Sequence, residues 1–124
     1  MSQENVEIVR GFVTGDLEKA LRYADPDIVW NPVEESAAQG RDAVRASLGR
    51  WKSAWEEYET FHDEFLDGGD RVLVVLRIRG RGRGSGVEVE ARLFDVYTLR
   101  DGLIFRMDEF SDRSEALEAA GLRE

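Results

Sequence analysis

The alternation of apolar and polar residues is most regular between Arg71 and Phe110, where it runs through three successive segments. A period of two predicts β-strands with one buried face. Gly84-Ser85 and Asp101-Gly102 supply residues that favour tight turns between the segments. We therefore expect three long antiparallel strands in this stretch.

Elsewhere the apolar residues recur at helical spacing, with Asp112 placed to cap the last helix and Gly121 to end it. Two shorter segments have the composition of strands. The expected helices cover about residues 3–13, 17–24, 41–55 and 112–120, the two further strands cover about 28–31 and 58–66, and a polar loop covers 33–40.

Helices that are segregated from an antiparallel sheet predict an α+β fold. The chain has 124 residues, which is long enough to bury a core and short enough for one domain. The sequence contains no internal repeat or linker, so we expect one domain over residues 1–124.

Composition excludes several classes of function. The net charge of −9 argues against binding to nucleic acids or anionic membranes. The chain has no cysteine, one histidine and no apolar run of about 20 residues, the length that spans a bilayer. Because the N-terminus also lacks the features of a signal peptide, we expect a cytoplasmic protein without a metal or cofactor.

The charges of the first two long strands fix their register. With a two-residue turn at Gly84-Ser85, Arg81 lies opposite Glu88 and Arg79 opposite Glu90, so unlike charges pair. The arginine-rich hairpin tip then neutralises itself instead of forming a site for RNA. The same register places Val74 opposite Asp95, Leu76 opposite Leu93, and Ile78 opposite Ala91.

The second turn leaves two registers open. A two-residue Asp101-Gly102 loop places Asp108 across from Asp95. A three-residue loop at 100–102 gives Asp95's face two apolar residues and one acid, and we favour it. In that register the face carries Phe105, Met107 and Glu109.

Asp95 is therefore predicted to lie on an apolar face, where burial raises the pKa of a carboxyl group. With Glu109 beside it, the two acids are candidate catalytic residues for proton transfer. The alternative is a carboxyl that is hydrogen-bonded within a packed core. The residues predicted to line a ligand cavity above them are Tyr23, Trp30, Asn31, Trp51, Trp55, Leu76, Leu93, Tyr97, Phe105 and Met107.

Three segments carry a family resemblance: YADPDIVWNPV at Tyr23–Val33, GRDAV at Gly40–Val44, and the long segment Leu93–Gly121. Together with the order of elements, they resemble the SnoaL-like branch of the nuclear transport factor 2-like superfamily. The resemblance implies a curved sheet wrapped around a helix, an apolar cavity, and homodimers that meet through the outer sheet face. Members include polyketide cyclases, steroid isomerases, epoxide hydrolases, dehydratases and non-catalytic binding domains.

The resemblance to the steroid isomerases is partial at their functional positions. Their general base falls at Asn31, an amide without useful basicity, and their tyrosine donor falls at Ile8. Their aspartate donor is kept as Asp95, with Tyr23 at the position of a supporting tyrosine.

The epoxide hydrolases match less well. Their arginine, first aspartate and second aspartate fall at Arg77, Arg79 and Glu109, so a cation replaces the first acid. For the polyketide cyclases, the acid–base residue could be Asp95, Asp108 or Glu109.

Three functions therefore remain open. The first is a small-molecule protein that binds a cyclic, oxygen-bearing ligand, with or without isomerase, cyclase or dehydratase activity. The second is a carrier or sensor that uses the same cavity. The third is a dimeric interaction domain, because Val75, Phe94 and Val96 are expected on the outer face and need a cover. His62 is interpreted as a solvated or acid-paired side chain.

Overall fold

A six-stranded curved sheet with helices on both faces forms the body of the protein. The computed structural model describes residues 2–33 and 35–123. The elements are α1 (Ser2–Thr14), α2 (Leu17–Ala20), a 3₁₀ turn (Leu21–Tyr23), β1 (Ala24–Asn31), β2 (Ala38–Gln39), α3 (Arg41–Ser53), β3 (Trp55–Asp67), β4 (Arg71–Gly82), β5 (Glu88–Arg100), β6 (Leu103–Phe110) and α4 (Arg113–Ala119).

The strand order in the sheet is β2-β1-β6-β5-β4-β3. Every neighbouring pair is antiparallel except β1 and β6, which run parallel. The predicted α+β fold is confirmed, and the sheet is mixed because β1 enters it beside the last strand. The predicted loop at 33–40 contains the short strand β2, and its residue Glu34 lies outside the described residues.

The predicted register between β4 and β5 is confirmed, with Arg81 opposite Glu88 and Asp95 opposite Val74. The connection is wider than the predicted two-residue turn. The backbone N–H of Gly82 donates to the carbonyl of Val87 over 2.9 Å, which closes the hairpin around a four-residue turn at 83–86. This turn extends the predicted Gly84-Ser85 turn by one residue on each side, so the register between β4 and β5 is unchanged.

One face of the sheet, here called the inner face, lies under α1 and α3. It belongs to the larger apolar cluster of the protein, whose buried residues are each at most 8% exposed. The cluster contains Val6, Val9, Phe12, Ala20, Leu21, Ala24, Ile28, Trp30, Val44, Val72, Val74, Tyr97, Leu99, Ile104 and Met107.

The opposite, outer face carries a second apolar cluster, which α4 covers. Val75, Phe94 and Val96 are each less than 5% exposed in this single chain. Ala116 and Leu117 of α4 pack against them. The expectation that these side chains need a partner subunit as cover is therefore wrong, because the closing helix provides the cover.

Helix α3 ends two residues earlier than predicted, and Trp55 begins β3 instead of continuing the helix. The guanidinium of Arg83, from the β4–β5 turn, donates to the carbonyls of Ser53 and Trp55 over 3.0 and 3.1 Å. Its backbone N–H donates to the carbonyl of Ala54 over 2.9 Å. These bonds occupy carbonyls at the end of the helix and hold the chain as it turns into β3.

Candidate functional site

Asp95 lies in the middle of the inner face, between Val74 on β4 and Glu109 on β6. It is only 6% exposed, although the ordinary place of an aspartate is in water. Alternation along β5 places its side chain on the same face as Tyr97, two residues away, which packs edge-on against Phe12 of α1 with ring centroids 5.8 Å apart. The acid therefore points toward the helices.

A bulge brings Glu109 to Asp95. The turn has two residues, Asp101 and Gly102, with φ of 55° and 78°. This turn alone would pair Asp95 with Asp108, but the register shifts by one residue after Thr98, so that Glu109 becomes the partner. The predicted three-residue loop is wrong, whereas the predicted facing of Glu109 and Met107 toward Asp95's side is confirmed.

The bulge displaces Phe105 from the inner face, where it was predicted. Ile104 takes that place and is fully buried, since it pairs with Leu99 beyond the bulge. Phe105 is half-buried, and the guanidinium of Arg100 lies 4.5 Å from the centroid of its ring. It is therefore not positioned as a wall above Asp95.

Asp95 and Glu109, here called the acid pair, interact electrostatically. The pKa of Asp95 is raised well above the ordinary 3.8, first by burial, then by the charge of Glu109, and then by a hydrogen bond with the Glu109 side chain. No arginine or lysine contributes to the shift. All three causes disfavour the charged form of Asp95 and so favour its protonated form.

One buried oxygen of the acid pair has no hydrogen bond within the described part of the chain. Asp95 Oδ1 is buried and has no hydrogen-bond partner among the described residues. Tyr97 feels the same environment, because burial and then the charges of Asp95 and Glu109 raise the pKa of its phenol well above 10. A buried oxygen without a donor costs about 1–3 kcal/mol, and such groups call for an explanation.

Glu109 connects the buried acid with the protein surface. The backbone N–H of Val33 donates to Glu109 Oε1 over 3.4 Å. Glu109 also lines an open groove of about 290 Å³ at the end of β1 and β6. The other residues of this groove are Asn31, Pro32, Val33, Asp108, Phe110, Ser111 and Glu115.

Asn31 and Asp108, here called the outer pair, lie on the other side of the sheet. Asn31 pairs with Asp108 in the register, and its Nδ2 donates to Asp108 Oδ1 over 2.7 Å. Arg106 Nε donates to Asp108 Oδ2 over 2.8 Å. Asn31 was predicted to line the cavity; the structure turns its amide to Asp108 instead, and both oxygens of Asp108 have partners.

The aromatic residues predicted as cavity walls separate into three places. Trp30 is 8% exposed and belongs to the buried inner cluster, opposite Met107. Trp51 and Trp55 meet at the end of α3, with ring centroids 5.7 Å apart. Tyr23 is 37% exposed and lies against Gly11 of α1, so close that a Cβ atom on Gly11 would be 2.8 Å from its hydroxyl oxygen.

The aliphatic residues between these aromatic groups stay where the register predicts. Leu76 lies opposite Leu93 on the inner face, with His62 of β3 on the other side of Leu76. Leu76 is buried, but Leu93 is only half-buried. This part of the inner face is thus less closely covered than the part under α1.

Two further polar side chains, Ser47 and His62, lie on this side of the sheet, and sequence reasoning missed the first of them. Ser47 of α3 is 1% exposed, and its hydroxyl has no hydrogen-bond partner in the described part of the chain. The sequence signal was a hydroxyl three residues after Val44 and four before Trp51, within the apolar stripe of the helix. His62 is half-buried, and burial lowers the pKa of its imidazole against the opposing charge of Asp63. The Asp63 carboxylate binds Arg77 over 2.6 and 3.0 Å, so His62 is not simply acid-paired.

Two further observations limit the site. Within residues 2–33 and 35–123, no three histidine, aspartate or glutamate side chains gather in a way that would hold a metal ion. Each described helix is too short or too polar to cross a lipid bilayer.

Comparison with known proteins identifies relatives of the whole chain. A family model described as a SnoaL-like domain matches residues 6–107. No curated protein matches the sequence. Among solved structures, an NTF2-like protein from Burkholderia xenovorans shares 29% identity over 97% of each chain, with a TM-score of 0.77.

Two other solved structures share the fold at lower identity. A putative SnoaL-like polyketide cyclase from Jannaschia is 21% identical over 99% of this chain and 95% of its own, with a TM-score of 0.79. TerC, co-crystallised with polyporic acid, is 22% identical over 95% of this chain and 98% of its own, with a TM-score of 0.78.

Proposed function

The chain belongs to the SnoaL-like domain family, and from that premise we propose that it binds a small cyclic, oxygen-bearing molecule over Asp95 and transfers protons on it without a cofactor. The proposed reaction class is isomerisation, cyclisation or dehydration. The observation that carries this proposal is the acid pair itself, a buried carboxyl with a raised pKa and one unpartnered oxygen.

The acid pair is suited to proton transfer at neutral pH. A carboxyl group of ordinary pKa is almost fully ionised there and is a poor proton donor, whereas burial and Glu109 raise the pKa of Asp95 and so bring it closer to neutral pH. In an isomerisation, the pair would take a proton from one atom of the ligand and return it to another. Its charge would be the same after the reaction as before.

In a dehydration, the pair would take a proton from a carbon atom of the ligand and give one to the leaving hydroxyl group, which departs as water, so its charge would again be unchanged. The Glu109 carboxylate contacts the Val33 backbone and lines the surface groove, so protons can exchange with solvent there. Asp95 would contact the ligand, and Glu109 would lie beside Asp95 on the side of the groove. The complex of the relative TerC with polyporic acid supports a small organic molecule as ligand.

A second candidate is a carrier that binds the same class of ligand without converting it. It is favoured by Asn31, since an amide occupies the position of the base in the related isomerases and is held by Asp108. The two candidates differ in one measurable property, namely whether protons exchange between the bound ligand and water.

Proton exchange can be measured with β-tetralone, a cyclic ketone with acidic C–H groups, dissolved in heavy water. We expect the protein to accelerate the loss of its C–H signals in NMR spectra, and Asp95→Asn to remove about 100-fold or more of that acceleration. Asp108→Asn is the matched control, because it changes an acid on the other face. Binding of β-tetralone without accelerated exchange would support the carrier, and absence of both would contradict the proposed function.

We infer from the family resemblance that two copies associate through the outer sheet face and that the protein works in the cytoplasm. The half of this face that α4 leaves uncovered carries arginines and glutamates, among them Arg79 and Glu90 with their charged atoms 3.9 Å apart. A second copy of the chain could place side chains of opposite charge against this surface, which carries charges of both signs. Light scattering that finds only monomer across a wide range of concentrations would contradict the dimer.

A further inference from the structure

The two buried polar side chains of the described core, Ser47 and Asp95, each carry an oxygen without a hydrogen-bond partner. Ser47 lies on α3 and Asp95 on β5, so the two oxygens come from opposite walls of the interior. We propose that they bind one ligand hydroxyl group between them, and that the ligand is therefore a ring-bearing alcohol or phenol. This inference rests on the proposed small-molecule site and specifies its ligand.

Helix α3 crosses the inner face from one side of the sheet to the other. Its first residue, Arg41, donates from Nε to the carbonyl of Ala24, at the start of β1, over 3.0 Å. Near its end, the ring of Trp51 lies 5.1 Å from that of Tyr58 on β3. Strands β6, β5 and β4 lie between these two anchoring strands.

The lengths agree with such a crossing. A helix of 13 residues is about 20 Å long, and four strand spacings amount to about 19 Å. A straight helix anchored at both sides of a curved sheet stands off from the middle strands. Ser47 is the central residue of α3 and lies on the same face as Val44, which packs in the inner cluster. Ser47 is therefore on the side of α3 that faces the sheet, and Asp95 is on the middle strand β5 of that sheet.

The bond between the two acids decides what Asp95 can bind. In this proposal the hydrogen bond with Glu109 engages the other carboxyl oxygen of Asp95, so that Oδ1 is an acceptor whichever acid carries the proton. A ketone oxygen is also an acceptor and cannot donate to Oδ1, so a ketone such as β-tetralone can approach Oδ1 only with its acidic C–H groups. A ligand hydroxyl can donate to Oδ1 and at the same time accept from the hydroxyl of Ser47.

Three probe molecules of similar size separate these two contacts. Phenol can donate and accept, anisole can only accept, and toluene can do neither. Binding is measured by the shifts of the indole N–H signals, since the protein has three tryptophans and all three lie on this side of the sheet. We expect phenol to bind about tenfold more tightly than anisole, and anisole more tightly than toluene.

The variants assign each contact to its residue. Ser47→Ala should weaken phenol and anisole by about threefold to tenfold and leave toluene unchanged. Asp95→Val should remove the preference for phenol over anisole. Ser53→Ala is the control on the same helix, because its exposed hydroxyl donates to the carbonyl of Arg50 and should not affect any probe.

The outcomes distinguish this inference from the function on which it rests. Equal binding of phenol and anisole, or probe affinities that Ser47→Ala leaves unchanged, would overturn the hydroxyl contact. If Asp95 still controlled proton exchange of β-tetralone in that case, the proposed function would stand. If the wild-type protein neither accelerated the proton exchange of β-tetralone nor bound any of the three probes, both the hydroxyl contact and the proposed function would be overturned.

Discussion

The acid pair and the outer pair are one residue apart on β6 and lie on opposite faces of the same sheet. Asp108 receives hydrogen bonds from Asn31 and Arg106 on both of its oxygens. Asp95 has another acid for a neighbour, no cation that lowers its pKa, and one oxygen without a partner. The outer pair is thus stabilising by its contacts alone, whereas the acid pair costs stability.

This difference indicates which pair carries function. A buried acid without compensation persists only where something other than folding requires it, as is common in active sites. Four predictions test whether the two pairs differ in the way that their contacts imply.

The largest expected difference is in stability, with opposite signs on the two faces. At about pH 8, Asp95→Val should raise the free energy of unfolding by about 2 kcal/mol, since it removes a buried group that is incompletely bonded. Asp108→Val should lower it by about 1–2 kcal/mol, because Asn31 and Arg106 lose their acceptor. Urea denaturation measures both, and a loss of stability in both variants would make the acid pair structural.

The second prediction concerns pH. An unfolded aspartate ionises near 3.8, whereas native Asp95 keeps its proton to well above that value. Because the native state then binds more protons than the unfolded state, this residue makes the protein less stable as pH rises between the two pKa values. Relative to Asp95→Asn, wild-type stability should fall by at most about 1.4 kcal/mol per pH unit in this window.

The control for this pH dependence is Asp108→Asn. The difference in free energy of unfolding between Asp108→Asn and wild type should not change with pH in the way that it does for Asp95→Asn. Parallel curves for wild type and Asp95→Asn above pH 3.8 would show that Asp95 has no raised pKa.

The third prediction separates the two main causes of the raised pKa. Glu109→Gln removes the charge next to Asp95 but keeps the side chain size and the burial of Asp95. The pKa of Asp95 should therefore fall and stay above 3.8, since burial is the larger cause. In a plot of the proton-exchange rate of β-tetralone against pH, the rise on the acidic side should therefore move to lower pH. If that rise does not move, the charge of Glu109 does not affect the pKa of Asp95.

The smallest effect is expected from Asn31→Ala. The variant removes one hydrogen bond to Asp108, so the free energy of unfolding should fall by about 1 kcal/mol. Binding of phenol and β-tetralone should not change, because the amide faces away from Asp95. A strong loss of ligand binding would place Asn31 in the site after all.

The sequence predicted the acid pair better than the outer pair. Unlike charges across the β4–β5 turn fixed one register, and with it the position of Asp95 opposite Val74. The β5–β6 register depended on a bulge after Thr98, which the turn residues do not encode. The predicted facing of Glu109 came from the demand for apolar residues on a buried face, and the predicted loop that produced it was wrong.

Contacts between distant segments account for the other differences. Arg83 of the β4–β5 turn ends α3 before Trp55, which helical spacing alone would continue. Leu117 and its neighbours on α4 cover the outer apolar cluster, although the same residues in sequence suit a surface helix. Ser47 was missed because a single serine among the apolar residues of a helix does not indicate a site. Only the structure shows that its buried hydroxyl has no hydrogen-bond partner among the described residues.

The protonation state of Asp95 is the property on which the proposed site depends most. Carboxyl-carbon NMR of the native protein, with Asp95→Asn to assign the signal, follows its titration residue by residue. We expect the Asp95 carboxyl to titrate well above 3.8 and its signal to respond to phenol but not to toluene. A titration at or below 3.8, without a response to phenol, would contradict the proposed site.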